Sequence, residues 1–262
     1  KQGQGGYEKP QTSEAYVGRY GADIVRLWVA SQDFRNDIVV SEERIKKVAE
    51  SYRLLRNALR FQLSNLYDYD PQEHAVDHAL LTPLDRWMLD AWSKLESDVC
   101  QAYDRHEFHL VYQKLTQFTA VELSSIYHDL VKDRLYSDRY DSSRRRSTQT
   151  VLHFIVGRYC QLLSPMLVFT ADEAWECVPG TSQGMSVHES EWVPFSFAMH
   201  PDEGECWQQY MELRQEVLSA LEEARKGKDF GKSLEAEVSI VEKGERLVRF
   251  KEASAVLREL LN

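Results

Sequence analysis

Cations grouped in two stretches form the pattern in this sequence that points most directly to chemistry. Lys46, Arg53, Arg56 and Arg60 lie in the first; Lys132, Arg134, Arg139 and Arg144 to Arg146 lie in the second. An arginine guanidinium can hold a phosphate through two parallel hydrogen bonds, and an exposed aromatic ring can stack on a nucleobase. Tyr136 and Tyr140 sit beside the second group, where packing is the competing role for their rings. That stretch carries a further tension. With Val121–Tyr136 placed on a helix at 100° per residue, Leu123, Ile126, Tyr127, Leu130 and Arg134 share one face, so a cation continues an apolar stripe. Arg134 there suits a buried salt bridge between helices or a ligand contact. Arg144 to Arg146 then fall where the next helix begins. The helix dipole disfavours cations at that end unless solvent, acidic neighbours or a phosphate compensates.

The balance of the whole chain runs the other way, with a formal net charge of −10 over 262 residues. Charge is unevenly spread, however. Arg44–Arg60 holds six cations and one anion, Lys132–Arg158 seven and three, whereas Asp202–Asp229 holds eight carboxylates and four cations. A local phosphate-binding surface on an acidic protein has this signature, although solvated helix faces are charged too. The chain is 43% hydrophobic and 28% charged, in the range of ordinary globular proteins. Its four cysteines, Cys100, Cys160, Cys177 and Cys206, are scattered without a CxxC pair, which favours reduced thiols over a disulfide framework or structural zinc. There is no apolar run of the roughly 18 residues needed to span a bilayer, and no signal-peptide pattern.

Motifs for catalysis are missing: there is no P-loop, dinucleotide fingerprint, nucleophile elbow or zinc motif. The pairs Glu42-Glu43 and Glu222-Glu223 lie in amphipathic helices, where solvation explains them, and Ser124-Ser125 has no evident histidine partner. His74 and His78 have i, i+4 spacing but lack a third ligand. His106 and His109 read as surface or interhelix residues. No catalytic or metal-binding residue is therefore assigned.

The elements that must position the cations are mostly helices. Ser13 can cap a helix stopping at Tyr20-Gly21, and Ala22–Ala30 reads as a buried helix. Ser41, followed by Glu42 and Glu43, is a good N-cap; Ile45, Val48, Tyr52, Leu55, Leu59, Leu63 and Leu66 then keep amphipathic spacing. A loop over Asp68–Leu81 leads to Thr82-Pro83, a cap followed by proline at the first helical position. Helices are expected from there to about Tyr103, from about Glu107 to Tyr136, and from the arginine triplet to just before Pro165. Thr170 and Glu173 fit a capping box for a shorter helix. After a loop to Gly204, Trp207, Tyr210, Leu213, Val217 and Leu221 mark another helix. Leu234–Ile240 alternates like a half-buried strand, Leu247–Phe250 is a candidate second strand, and Ala253–Leu261 a closing helix. The fold class is mainly α: residues 1–40 a linker and helix, 41–204 a helical bundle, and 205–262 a small α/β appendage.

Several ordered segments carry a family resemblance. Tyr20–Trp28 resembles the stretch after the KMSKS loop of class I aminoacyl-tRNA synthetases, and Arg53–Phe61 the first helix of the anticodon-binding bundle in their isoleucyl branch. Leu123–Tyr127 with Lys132–Tyr136, then Arg145–Leu152, Phe169–Trp175, Ser186-Val187-His188, Trp192 and Ser233–Ala236, continue the likeness in order. It covers nearly the whole chain and is specific to isoleucyl-tRNA synthetases over the valyl, leucyl and methionyl relatives. The HIGH motif, the KMSKS motif and the editing domain are absent. The resemblance therefore implies a C-terminal piece of a longer bacterial enzyme: an anticodon-binding bundle plus the start of a junction domain.

Isoleucine activation with ATP and magnesium, and a zinc site beyond Asn262, would belong to the full-length enzyme, leaving this piece inactive alone and without a cofactor. The implied partners are the isoleucine tRNA and the catalytic and editing domains of the same chain, in a cytoplasmic monomer without a membrane role. The ten cations named at the outset are then the expected tRNA contacts. Two alternatives stay open: a helical protein-interaction scaffold, whose arginines pair with a partner's carboxylates, and the equivalent module of a valyl or leucyl synthetase.

Overall fold

Thr12 opens the first helix, its hydroxyl accepting the amide of Ala15, one residue before the expected cap. Helix α1 (Ser13–Tyr20) stops at Gly21, whose φ of 91° disfavours a side chain, and α2 (Ala22–Ala30) follows at once. The structure, a computed structural model, describes residues 11–181, 184–227 and 236–261 and forms two units, Lys1–Phe197 and Ala198–Asn262. In the first unit, α3 (Glu42–Ser64) begins as expected at Ser41, whose hydroxyl accepts the amide of Arg44. A turn and a short 3-10 segment (His78–Leu80) lead to α4 (Pro83–Asp104). Thr82 stands at the N-cap of α4, but its hydroxyl donates to Asp85 instead of capping the helix. Between α4 and α5, His106 adopts a φ of 58°.

The single helix expected over Glu107–Tyr136 is present as three successive pieces: α5 (Phe108–Phe118), a π-helical stretch (Thr119–His128) and α6 (Lys132–Ser137). Wider π turns change which residues face inward. Leu123, Tyr127, Leu130 and Arg134 are buried as the 100° wheel expects, Ile126 is only half-buried, and His128 is buried instead. Next come α7 (Ser143–Leu163) and α8 (Val168–Trp175). In α7, Val151, Leu152, Ile155, Val156, Tyr159, Cys160, Leu162 and Leu163 are all buried. They cover about 180° of the helix at 100° per residue, so α7 is wrapped by its neighbours. Trp92 of α4 is fully buried edge-on to Phe118 and Tyr159, and the Tyr159 and Thr119 hydroxyls are hydrogen-bonded to each other.

The capping box expected at Thr170 and Glu173 is not formed. Thr170 lies within α8, where its amide and hydroxyl both donate to Asp23 of α2, tying that helix to the bundle. The capping box that does form joins Ser186 and Glu189 around a short 3-10 segment.

The second unit contains α9 (Pro201–Gly227), α10 (Gly244–Glu252) and α11 (Ser254–Leu261). Mainly helical character holds, but the expected strands do not: none occurs among the described residues. Leu247–Phe250 lies inside α10, because an apolar run of four residues fits either periodicity. Of the expected Leu234–Ile240 strand, residues 236–240 belong to no strand and the first two lie outside the described residues. All four cysteines are free, and no helix among the described residues is long and apolar enough to cross a membrane.

Buried histidine makes this bundle acid-sensitive. His128 stacks on Phe61 with ring centroids 4.2 Å apart, and burial, with a smaller push from Lys132, lowers its pKa to about 3. The unfolded chain therefore binds a proton below about pH 6.5 that the folded chain refuses, and stability falls as pH drops, by about 1.4 kcal/mol per unit. Urea unfolding at pH 5 should show a loss of about 2 kcal/mol relative to pH 7.5, and His128→Phe should flatten that dependence.

Candidate nucleic-acid interface

The structure sorts the ten cations into three environments, and acidic partners decide which is which. Arg134 is one of the largest fully buried side chains, at 2% exposure. Its Nη1 donates to Asp85 Oδ2 at 3.1 Å, to Thr82 Oγ1 at 2.9 Å and to Thr148 Oγ1 at 3.0 Å. The Asp85 carboxylate, itself fully buried, also accepts the Tyr127 hydroxyl at 2.7 Å and the Ser147 hydroxyl. Of the two roles open to Arg134, the structure shows the buried salt bridge between helices.

The arginine triplet is divided. Arg145 is 3% exposed and forms a two-pronged pair with Asp68, Nη1 to Oδ2 at 2.7 Å and Nη2 to Oδ1 at 3.1 Å. Arg146, also buried, donates to the Asp68 carbonyl at 3.0 Å and to Gln149 Oε1 at 2.7 Å. Burial pushes the Asp68 carboxyl up, but hydrogen bonds from Arg145 and Gln149 and the nearby positive charges outweigh it, leaving its pKa below the ordinary value. Acidic neighbours thus compensate these two cations at the helix start, and their expected role as tRNA contacts gives way to an interior one. Arg144 points outward but is held by Asp138 at 2.6 Å, with Asp133 at 3.6 Å. The hydrogen bond from Arg144 lowers the pKa of Asp138.

The remaining cations face solvent. Lys132 pairs with Asp129 at 2.8 Å, Arg139 with Asp141 at 3.0 Å and Lys46 with Glu42 at 3.2 Å, all among exposed or partly exposed side chains. Such pairs are worth about 0–1 kcal/mol and exchange readily for a ligand phosphate. Arg53, Arg56 and Arg60 differ. Arg53 and Arg60 are exposed and Arg56 half-exposed, and none of the three is bonded to any described residue. With Lys46 they fall within about 80° of arc on α3. Helix α3 holds this strip outward by packing its other side: Ile45, Val48, Leu55, Ala58 and Leu59 are buried, Ser51 bonds Tyr112, and Tyr52 bonds Thr170.

Exposed aromatic rings accompany the cations. Tyr136 and Tyr140 are both exposed, so packing is not their role. Tyr67, not singled out by sequence pattern, is the most exposed tyrosine among the described residues, at 80%, and lies just past the end of α3. No signal in its own neighbourhood marks it, because its exposure follows from contacts made by distant residues. For metals, the described residues offer no cluster of three His, Cys, Asp or Glu side chains. His74 Nδ1 accepts the Asp70 amide and His78 sits edge-on among Phe154, Phe195 and Phe197.

Helical bundle, an arginine strip without partners among the described residues, and exposed tyrosines define a candidate nucleic-acid interface, and the comparison with known families is consistent with it. Residues 85–240 match the anticodon-binding domain of tRNA ligases, more than half the chain, and the chain belongs to that family. Among individual relatives it is similar to isoleucine–tRNA ligases. With that of Legionella pneumophila (strain Lens) it shares 40% identity over 244 residues, 93% of this chain and 26% of the relative. The corresponding figures are 40% over 245 residues, 93% and 26% for Geobacillus kaustophilus, and 40% over 234 residues, 87% and 25% for Desulfotalea psychrophila. The chain spans about a quarter of the length of the curated relatives it matches.

Proposed function

We propose that this chain is the part of an isoleucine–tRNA ligase that holds the anticodon stem-loop of the isoleucine-accepting tRNA, while chemistry using ATP and magnesium takes place elsewhere in a longer chain. The observation that carries the reading is the Arg53, Arg56, Arg60 strip: three cations on one rigid helix, free of carboxylate partners among the described residues, on a protein of net charge −10. An acidic protein that leaves a local cationic track unneutralised has a surface suited to a phosphate backbone. Lys46, Lys132, Arg139 and Arg144 extend the set: Lys132 and Arg139 can exchange an exposed carboxylate for phosphate, and Lys46 and Arg144 a partly buried one. Arg134, Arg145 and Arg146 are left out.

The test is binding of the isoleucine tRNA and of a tRNA with a mismatched anticodon, measured across a salt series. Anticodon reading predicts tighter binding of the isoleucine tRNA at every salt concentration. Equal affinities defeat anticodon reading, and indifference between tRNA and an unrelated polyanion such as heparin defeats the tRNA role altogether.

A further inference from the structure

The turn Leu66–Tyr69 just beyond α3 is anchored at every residue except one. Leu66 and Tyr69 are buried, the Tyr69 amide donates to the Leu66 carbonyl at 3.1 Å, and the Tyr69 hydroxyl donates to Thr150 at 3.2 Å. Asp68 is gripped by Arg145 through its carboxylate and by Arg146 through its carbonyl, and Gln149 Nε2 reaches both Asp68 Oδ1 at 2.7 Å and the Asn65 carbonyl at 2.9 Å. Only Tyr67 projects into solvent, with the Arg145 guanidinium 5.9 Å from its ring centroid. A large ring held out by a turn this firmly fixed is pre-organised: a ligand that covers it need not order the backbone beneath it.

Its position points to what covers it. Tyr67 follows Arg53 and Arg60 at successive intervals of seven residues, about 10 Å of helix per step where the chain is helical. Tyr67 thus lies just beyond the C-terminal end of the helix that carries Arg53, Arg56 and Arg60, three cations without a partner among the described residues. Cations that track phosphates next to a ring that accepts any base are the two parts of a single-stranded nucleic-acid site. Resting on the tRNA-binding reading above, we infer that Tyr67 stacks against an unpaired base of the bound RNA, and that Arg145, Arg146 and Gln149 are positioning residues that hold its turn.

Binding of the isoleucine tRNA to the chain and to its Tyr67→Ala, Tyr67→Phe and Arg60→Ala variants, over a salt series, tests this. Tyr67→Ala should weaken binding roughly ten- to a hundredfold with the salt slope unchanged, because stacking releases no counterion. Tyr67→Phe should bind within about twofold of the unsubstituted chain, since the ring is kept, whereas Arg60→Ala should flatten the slope. Unchanged melting temperatures would confirm that an exposed ring was replaced without disturbing the fold. Unaltered affinity in Tyr67→Ala overturns the stacking role alone and leaves tRNA binding intact. A loss in Tyr67→Phe as large as in Tyr67→Ala overturns stacking in favour of a hydroxyl contact. Failure of the unsubstituted chain to bind tRNA overturns the reading on which the inference rests.

Discussion

Arg134→Ala should destabilise the bundle by about 3–5 kcal/mol, because it leaves the fully buried Asp85 carboxylate without its counter-charge. The Tyr127, Ser147 and Thr82 hydroxyls would still donate to Asp85, so the carboxylate keeps hydrogen bonds but loses the charge that makes its burial tolerable. Urea or thermal unfolding measures the loss, which for a unit of this size corresponds to a midpoint lower by roughly 10 °C. Arg139→Ala is the control. Its pair with Asp141 is solvent-exposed and its removal should shift the midpoint little. The double variant Arg134→Ala, Asp85→Ala should recover part of the loss, since it removes the stranded charge along with the pair. Equal destabilisation by Arg134→Ala and Arg139→Ala would contradict the interior role assigned to Arg134.

Replacing Arg53, Arg56 and Arg60 together with alanine should act on RNA and leave the fold almost untouched. If each arginine displaces one condensed counterion, the slope of log Kobs against log salt should flatten by about 2–3. Between 50 and 200 mM salt the unsubstituted chain would then lose roughly 20- to 40-fold more affinity than the triple variant. Arg145→Lys gives the contrasting outcome. It keeps the charge but not the two-pronged geometry toward Asp68, so its effect should fall on stability and not on salt slope. A triple variant whose salt slope matches that of the unsubstituted chain would remove the α3 strip from the interface.

Much of the fold was legible where local chemistry fixes a boundary. Ser41 with Glu42 and Glu43, Thr82 with Pro83, and Gly21 all mark ends that the structure keeps. Less was legible where geometry departs from the 3.6-residue period. Ile126 and His128 exchange burial because Thr119–His128 is a π-helix, and α10 was mistaken for a strand because four residues cannot separate the two periodicities. At the site, the charge pattern grouped the α3 cations with the triplet and could not tell the exposed residues from the buried ones. Arg145 differs from Arg53 only through Asp68, which lies 77 residues away from it in sequence. Tyr67 escaped notice for the same reason: what exposes it is the anchoring of Asp68 and Tyr69 by residues on α7.

The π-helical stretch acts as a phase setting between two faces that must both be satisfied. Upstream, Val111 and Leu115 of α5 are buried; downstream, Arg134 must meet Asp85. A π turn takes up one residue more than an α turn. If Thr119–His128 kept its residues but one π turn tightened to α-helical spacing, everything after it would rotate by about 100° relative to α5. Arg134 would swing off Asp85, and a neighbour such as Asp133 or Lys132 would come toward the interior in its place. The number of residues in this segment is therefore metered by an ion pair beyond its end, which makes its length as constrained as its composition.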